Sequence, residues 1–203
     1  MAQAFLKALG LDGEIGTITI DLQGPTTTTA GHEVKKGTGG AVTLASTKWP
    51  FCFDGDKKDA NGTRSILPFT AFNEELNRLT LKVTHMTAAK AKVAWGTETK
   101  EFTREQLEAG VNLTAAFEKT PFDRPFADLV AAIGQKQAFE TLLIKSLVTH
   151  MRIIAAEAAA EPKLAAALEK LKQKLASEHA KQDANVRRML RPVDHSFVIT
   201  ELK

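Results

Sequence analysis

Five serines, five histidines and one cysteine carry whatever nucleophilic or acid–base chemistry this chain holds. Hydrolysis by a nucleophile needs a serine on a tight glycine-flanked turn, a histidine to take its proton and a carboxylate to orient that histidine. Ser46, Ser65, Ser146, Ser177 and Ser196 all lack the flanking glycines, and Ser146 and Ser177 fall within helical sequence. Asp194-His195-Ser196 brings the right residue types together, yet neighbours on a strand point to opposite faces and cannot form a triad among themselves. That segment reads as the polar start of a strand after Pro192. Cys52, between Phe51 and Phe53, has no neighbour in sequence that would lower its pKa and reads as a small, half-buried hydrophobe. No catalytic residue is assigned, and a self-contained enzyme would have to rest on Cys52 or His195.

Metal and phosphate chemistry find no better footing. The histidines at 32, 85, 150, 179 and 195 form no H-x-H or H-E-x-x-H pattern, and a lone cysteine makes no C-x-x-C, so no metal site and no cofactor are assigned. His150 and His179 stand on opposite arms of an expected helical hairpin and are placed to meet there, with packing as the plainer role. Residues 54–62 superficially resemble a calcium loop, but Lys57 and Pro68 occupy positions that need acidic ligands. Gly37 to Gly40 is not followed by a helix, so no helix N-terminus cradles an anion.

The composition narrows the classes further. The 203 residues are 43% hydrophobic and 25% charged, ordinary for a globular chain and unlike a disordered or fibrous one. Twenty-seven basic against 24 acidic side chains leave +3, too small an imbalance to argue for nucleic acid or a membrane surface, and neither partner is expected. A single cysteine leaves the redox compartment open.

The elements that must position these residues follow from periodicity. Ala2, Phe5, Leu6, Leu9 and Leu11 recur at helical spacing with Gly10 as a stop, and nothing ahead of them caps the helix. They read as the last turns of a longer helix, and not as a signal peptide. Ile15 to Leu22 alternates as a strand; glycines 31 to 40 read as a turn before a second strand at 41–46; residues 49–70 form a long loop anchored by Trp49-Pro50-Phe51. Strands at 79–84, 92–95 and 100–102 suggest a small antiparallel sheet, and Thr103 with Gln106 supplies a capping box for a single helical segment closed by Gly110. From Thr120-Pro121 a helical stripe runs to Met151, with Gly134 a candidate kink. Pro162 opens a second helix with leucines 164, 168, 171 and 175, and the two pack as a hairpin. Residues 192–203 form a last strand that rejoins the sheet. The expected fold is α+β: small antiparallel β units, a long helical hairpin and a C-terminal strand. Its parts are residues 1–12 as a helix remnant, 13–118 as a β-rich accessory domain, 119–191 as the hairpin and 192–203 as the returning strand.

Several stretches resemble the C-terminal region of bacterial SGNH/GDSL-type hydrolases. They are Ala4-Phe5-Leu6-Lys7-Ala8-Leu9-Gly10-Leu11-Asp12-Gly13-Glu14-Ile15-Gly16, then Pro68-Phe69 with Phe72-Asn73-Glu74-Glu75-Leu76-Asn77-Arg78-Leu79, and Trp95-Gly96 through Phe102-Thr103-Arg104-Glu105-Gln106-Leu107 to Gly110-Val111-Asn112-Leu113. Lys136-Gln137-Ala138-Phe139-Glu140-Thr141 and the Pro192-Val193-Asp194-His195-Ser196-Phe197 close complete the set. The resemblance implies an ester-hydrolysing parent whose catalytic domain precedes these landmarks, with Met1 falling downstream of every catalytic block. The Gly-Asp-Ser and Asp-x-x-His-Pro blocks of that family have no counterpart here. It further implies that the complete relatives are exported, which leaves the compartment of this chain unassigned.

The expected function is therefore that of an accessory portion of such a hydrolase, silent alone, with the hydrolase domain as its partner in cis. Phe5, Leu9, Trp49, Phe51, Asn73, Asn77 and Arg78 are the candidate interface or cleft-lining residues, and an exposed apolar patch around Phe5 and Leu9 would favour self-association. The alternative is a free-standing binding module that recognises a ligand through the Trp49-Pro50-Phe51 loop and the Asn73 to Arg78 segment, although the plainer role of those residues, and the one favoured, is to anchor the long loop onto the sheet.

Overall fold

A computed structural model describes residues 2–203, which divide into two compact units: residues 2–126 with 192–203, and residues 127–191. In the first unit, helix α1 (Ala2–Ala8) ends at Gly10, whose φ of +80° only a glycine adopts freely. Strand β1 (Glu14–Asp21) pairs with the short β2 (Thr27–Thr28), and β3 (His32–Thr38) forms a hairpin with β4 (Ala41–Ser46). The glycines between 31 and 40 thus flank and interrupt a strand where the sequence suggested only a turn. The polar run His32-Glu33-Val34-Lys35-Lys36 hides it, because β3 is an edge strand with one buried residue, His32.

The loop from Trp49 contains a 3-10 turn at Arg64–Phe69 and leads to α2 (Phe72–Leu76) and β5 (Arg78–Thr84). Strands β6 (Lys90–Trp95) and β7 (Glu98–Thr103) follow, then α3 (Arg104–Ala109), whose Thr103–Gln106 capping box is present as expected. The short β8 (Val111–Asn112) and α4 (Leu113–Ala116) complete this stretch. After the second unit the chain returns as β9 (Val193–Leu202).

Two sheets result, ordered β2-β1-β5-β8 and β3-β4-β9-β6-β7. All pairs are antiparallel except β1 with β5, which run parallel from Gly16↔Leu79 to Asp21↔Thr84. A parallel pair requires a crossover, and the 22–77 excursion supplies it. Alternation places Ile18, Ile20, Leu79, Leu81 and Val83 of one sheet and Val42, Leu44, Val93, Trp95 and Phe197 of the other in one shared core. Each such fully buried side chain contributes about 1.5–3 kcal/mol over exposure.

Helix α5 (Asp123–Leu142) leaves the first unit and continues into the second. Phe122 and Phe126, just before and within its first turn, belong to the β-rich unit, so the division falls later than residue 118. A π-helical stretch at Leu143–Val148 joins α5 to α6 (Thr149–Ala158), and Pro162 opens α7 (Pro162–Met189). The irregularity lies here and not at Gly134, which sits in regular helix. Thr149 Oγ1 donates to the Ile144 carbonyl 2.8 Å away, five residues back, as a widened turn allows. The hairpin is knit by Glu140, which accepts from Lys136 at 2.9 Å and pairs with His179 Nε2 at 2.6 Å across to α7. His179 therefore meets Glu140 and not His150, whose Nδ1 donates to the Ser146 carbonyl on its own arm.

Candidate functional site

The densest array of chemically capable side chains is a chain of hydrogen bonds through the first unit. Its members stand on inward positions of five strands: Trp95 on β6, His195 on β9, Ser46 on β4, His32 on β3 and Ile15 on β1. Trp95 Nε1 lies 3.1 Å from His195 Nδ1, His195 Nε2 lies 2.8 Å from Ser46 Oγ, Ser46 Oγ lies 2.7 Å from His32 Nδ1, and His32 Nε2 lies 3.0 Å from the Ile15 carbonyl.

The two ends dictate every proton between them. An indole N–H can only donate and a carbonyl can only accept. His195 must therefore accept on Nδ1 and donate from Nε2 to Ser46; Ser46 passes its hydroxyl proton to His32 Nδ1; His32 donates from Nε2 to Ile15. Both imidazoles are neutral in this arrangement. Burial pushes His195 down to about 4, with a smaller contribution from His32 beside it, and burial likewise holds His32 below its ordinary value, assisted by the charge of Lys48.

A serine between two histidines invites a catalytic reading, but the array is closed to solvent. Ser46 is 0% and His195 4% exposed. Ser46 donates to His32 as a nucleophile would to its base, but where a triad has a carboxylate the other nitrogen of His32 meets the Ile15 carbonyl and that of His195 the Trp95 indole. The array is a seam that satisfies buried polar groups while tying one sheet to the other. Gly16 is required for it: a Cβ there would lie 2.3 Å from His32 Nε2. No local motif announces the seam, although a strand over residues 192–203 puts Phe197 and Ile199 on one face. The same period of two carries His195 inward with them, while Asp194 and Ser196 point out.

Three of the seven candidate interface or cleft-lining residues, Trp49, Phe51 and Asn77, meet at a second place. Leu6, Leu11, Trp49, Phe51, Phe72 and Phe126 wall an open groove of about 270 Å³ whose surface is almost wholly apolar. Phe51 sits edge-on to Phe53, Phe72 and Phe126, with ring centroids 4.9, 5.4 and 5.1 Å away. Asn77 holds it there: its Oδ1 accepts from the Phe51 N–H at 2.8 Å and its Nδ2 donates to the Phe51 carbonyl at 3.0 Å.

Asn73 and Asn77 are buried and brace the Phe51 loop, the plainer of the two roles open to them, and not the recognition surface of the binding-module alternative. Asn73 Oδ1 accepts from Asn77, and the Asn73 carbonyl accepts from Asn112 Nδ2 at 2.9 Å. Arg78 is half-buried and donates to the carbonyls of Asp12, Glu74 and Glu75, pinning the turn at Gly13. These three are joints that hold the groove in shape. Phe5 and Leu9 lie on the open side of α1, 65% and 64% exposed.

The remaining candidates have structural places. Cys52 is half-buried, and burial pushes its thiol up to about 12, far from a nucleophilic value. Among the described residues, no three His, Cys, Asp or Glu side chains are grouped to hold a metal ion, and no helix is long and apolar enough to cross a membrane.

No protein-family profile and no curated protein matches the sequence. Among solved structures, the fold is similar to that of a gut microbial diltiazem-metabolizing enzyme, with a TM-score of 0.63 at 17% identity. The likeness covers the whole of this chain and 53% of that one, so this chain spans about half the length of the enzyme it matches. At this identity the likeness establishes the fold alone.

Proposed function

We propose that this chain is the accessory, non-catalytic portion of an SGNH/GDSL-type hydrolase, packing against a domain that carries the nucleophile. The observation that carries the reading is the contrast between its two sites: the Ser46–histidine array is sealed and fully hydrogen-bonded, while the aromatic groove beside α1 opens to solvent. Several of the residues on which the family resemblance rests, Leu6, Phe72, Asn73, Asn77, Arg78 and Asn112, build or brace that groove. Exposed Phe5, Leu9 and Leu11 extend its apolar surface, as an interface would require. The fold's likeness to roughly half of a drug-metabolizing enzyme supports a place within a larger catalytic protein. Ester hydrolysis would then belong to the partner domain, and this chain would shape or brace the cleft.

Two assays test the proposal. The 203-residue chain should not react with a fluorophosphonate probe, whereas stoichiometric labelling of any of its serines would contradict the reading. Mixed with a separately purified SGNH-type hydrolase domain, it should form a complex in size-exclusion chromatography that Leu6→Asp or Phe51→Asp abolishes. A complex indifferent to both substitutions would remove the groove from the interface. A stable monomer with no affinity for that domain would favour a free-standing module.

A further inference from the structure

The overall charge of +3 conceals a division. Residues 127–191 hold 11 lysines and arginines against seven aspartates and glutamates, a net +4, so the rest of the chain carries −1. Within the basic unit the stretch 141–156 contains no acid. Its packed side is the row Leu143, Leu147, Met151, Ala155 and Ala158, half-buried or buried at every position.

Two further rows are left free. One position on from the packed row stand Ile144, Val148 and Arg152, and beside them Lys145, Thr149 and Ile153, all exposed. Ile144, Val148 and Ile153 are 61%, 51% and 69% exposed, unusual for β-branched aliphatics on a helix. Thr149 has turned its hydroxyl to the Ile144 carbonyl, so it adds a methyl to this face instead of a polar group. The face therefore presents aliphatic surface with two embedded cations, and its one acid, the exposed Glu157 a turn beyond Ile153, forms no ion pair with either of them.

We propose that this face docks onto an anionic lipid layer, lying on it and not crossing it. A second copy of the chain fits poorly, because a two-fold contact over this face would gather the Lys145 and Arg152 of both copies with only Glu157 of each to offset them. The apolar groove of the hairpin, walled by Leu147, Met151, Ile154, Leu164, Leu168 and Leu171, opens on the other flank of the helix, so the free face is not built to seat a partner's protruding side chains. An anionic headgroup plane answers both features: headgroups meet Lys145 and Arg152, whose long stems allow the charges to snorkel, while the aliphatic tips enter the acyl boundary. This inference stands independently of the hydrolase reading.

The test is flotation of the full chain with vesicles of phosphatidylcholine alone and of phosphatidylcholine with phosphatidylglycerol, at low and high salt. The expected result is binding to the anionic vesicles only, weakened by salt. It should fall about tenfold or more in Lys145→Glu/Arg152→Glu and similarly in Ile144→Ser/Ile153→Ser, both variants retaining helical circular dichroism. Lys170→Glu/Lys174→Glu on α7 should change it by less than about twofold. The proposal is overturned by absence of binding, by equal binding to neutral vesicles, or by equal sensitivity to the α7 control, which would indicate bulk charge. It is equally overturned if light scattering shows a dimer that the Ile144→Ser/Ile153→Ser variant dissociates.

Discussion

The β-rich unit and the helical hairpin solve the burial problem in opposite ways. In the first, strand alternation places side chains from two sheets into one core, and the polar groups that go in with them are hydrogen-bonded end to end, from Trp95 to Ile15. In the second, only Leu129, Met151 and Ala158 are buried, and α7 runs from Pro162 to Met189 without a buried residue. A core of that size cannot offset much chain entropy. The hairpin leans on helix propensity, visible in Ala165-Ala166-Ala167, and on side-chain pairs such as Asp183 with Arg187 at 2.7 Å. Stability and interaction surface are thus segregated: one unit keeps its chemistry inside, the other leaves its aliphatics out.

This contrast fails if core and hairpin respond alike to mutation. Trp95→Ala should have the largest effect, about 3–5 kcal/mol, because it opens a cavity beneath Phe197 and Phe117 and removes the donor to His195. In the hairpin, Leu171→Ala should cost below about 1 kcal/mol, since that leucine is 46% exposed. Urea unfolding of both variants makes the comparison, and similar losses would show that the hairpin is as tightly packed as the core.

Acid sharpens the same contrast. An unfolded histidine takes up its proton near 6.5, while burial delays His195 to about 4. Between these values the unfolded state binds more protons, so stability rises with pH and is lost as pH falls from about 6.5 to about 4. The His195 share of that loss is about 3 kcal/mol, and His32 shifts in the same direction. Thermal melts followed at the tryptophans of the β-rich unit should show the decline. In His195→Gln the decline over this range should be shallower.

Smaller effects separate the seam from the scaffold around it. Ser46→Ala leaves His195 Nε2–H and His32 Nδ1 without partners and should cost about 1–3 kcal/mol for each group left unsatisfied. Gly16→Ala should cost about 1–3 kcal/mol by displacing the His32 ring. At the far end of the scale, Gly134→Ala should stabilise the hairpin by about 0.5–1 kcal/mol, because a Cβ there meets nothing within 4 Å and mid-helix glycine is entropically costly. A destabilising Gly134→Ala would mean that the position is a working hinge after all.

What could be read in the residues differs by the range of the interaction. The Thr103–Gln106 cap, the Pro162 helix start and the final strand all rest on neighbours a few positions apart, and all three are present. The parallel partnership of β1 with β5 depends on residues about 60 apart, and no local pattern encodes it. Strand β3 was hidden because an edge strand with one buried histidine lacks alternating hydrophobics. At the groove, Trp49 and Phe51 were legible as aromatic anchors. For Asn73 and Asn77 the residues alone left two roles open, since an asparagine that braces a loop from inside has the same letters as one that binds a ligand outside, and the structure shows them bracing.

From Trp95 to Ile15 the serine–histidine array is a neutral, directional seam. Long-range proton–nitrogen correlation spectra of the histidine side chains, followed from about pH 8 to about pH 5, test it directly. The account predicts that His195 and His32 both carry their proton on Nε2 and that His195 shows no titration in that range. A His195 ring that titrates near 6.5, or that carries its proton on Nδ1, would contradict it.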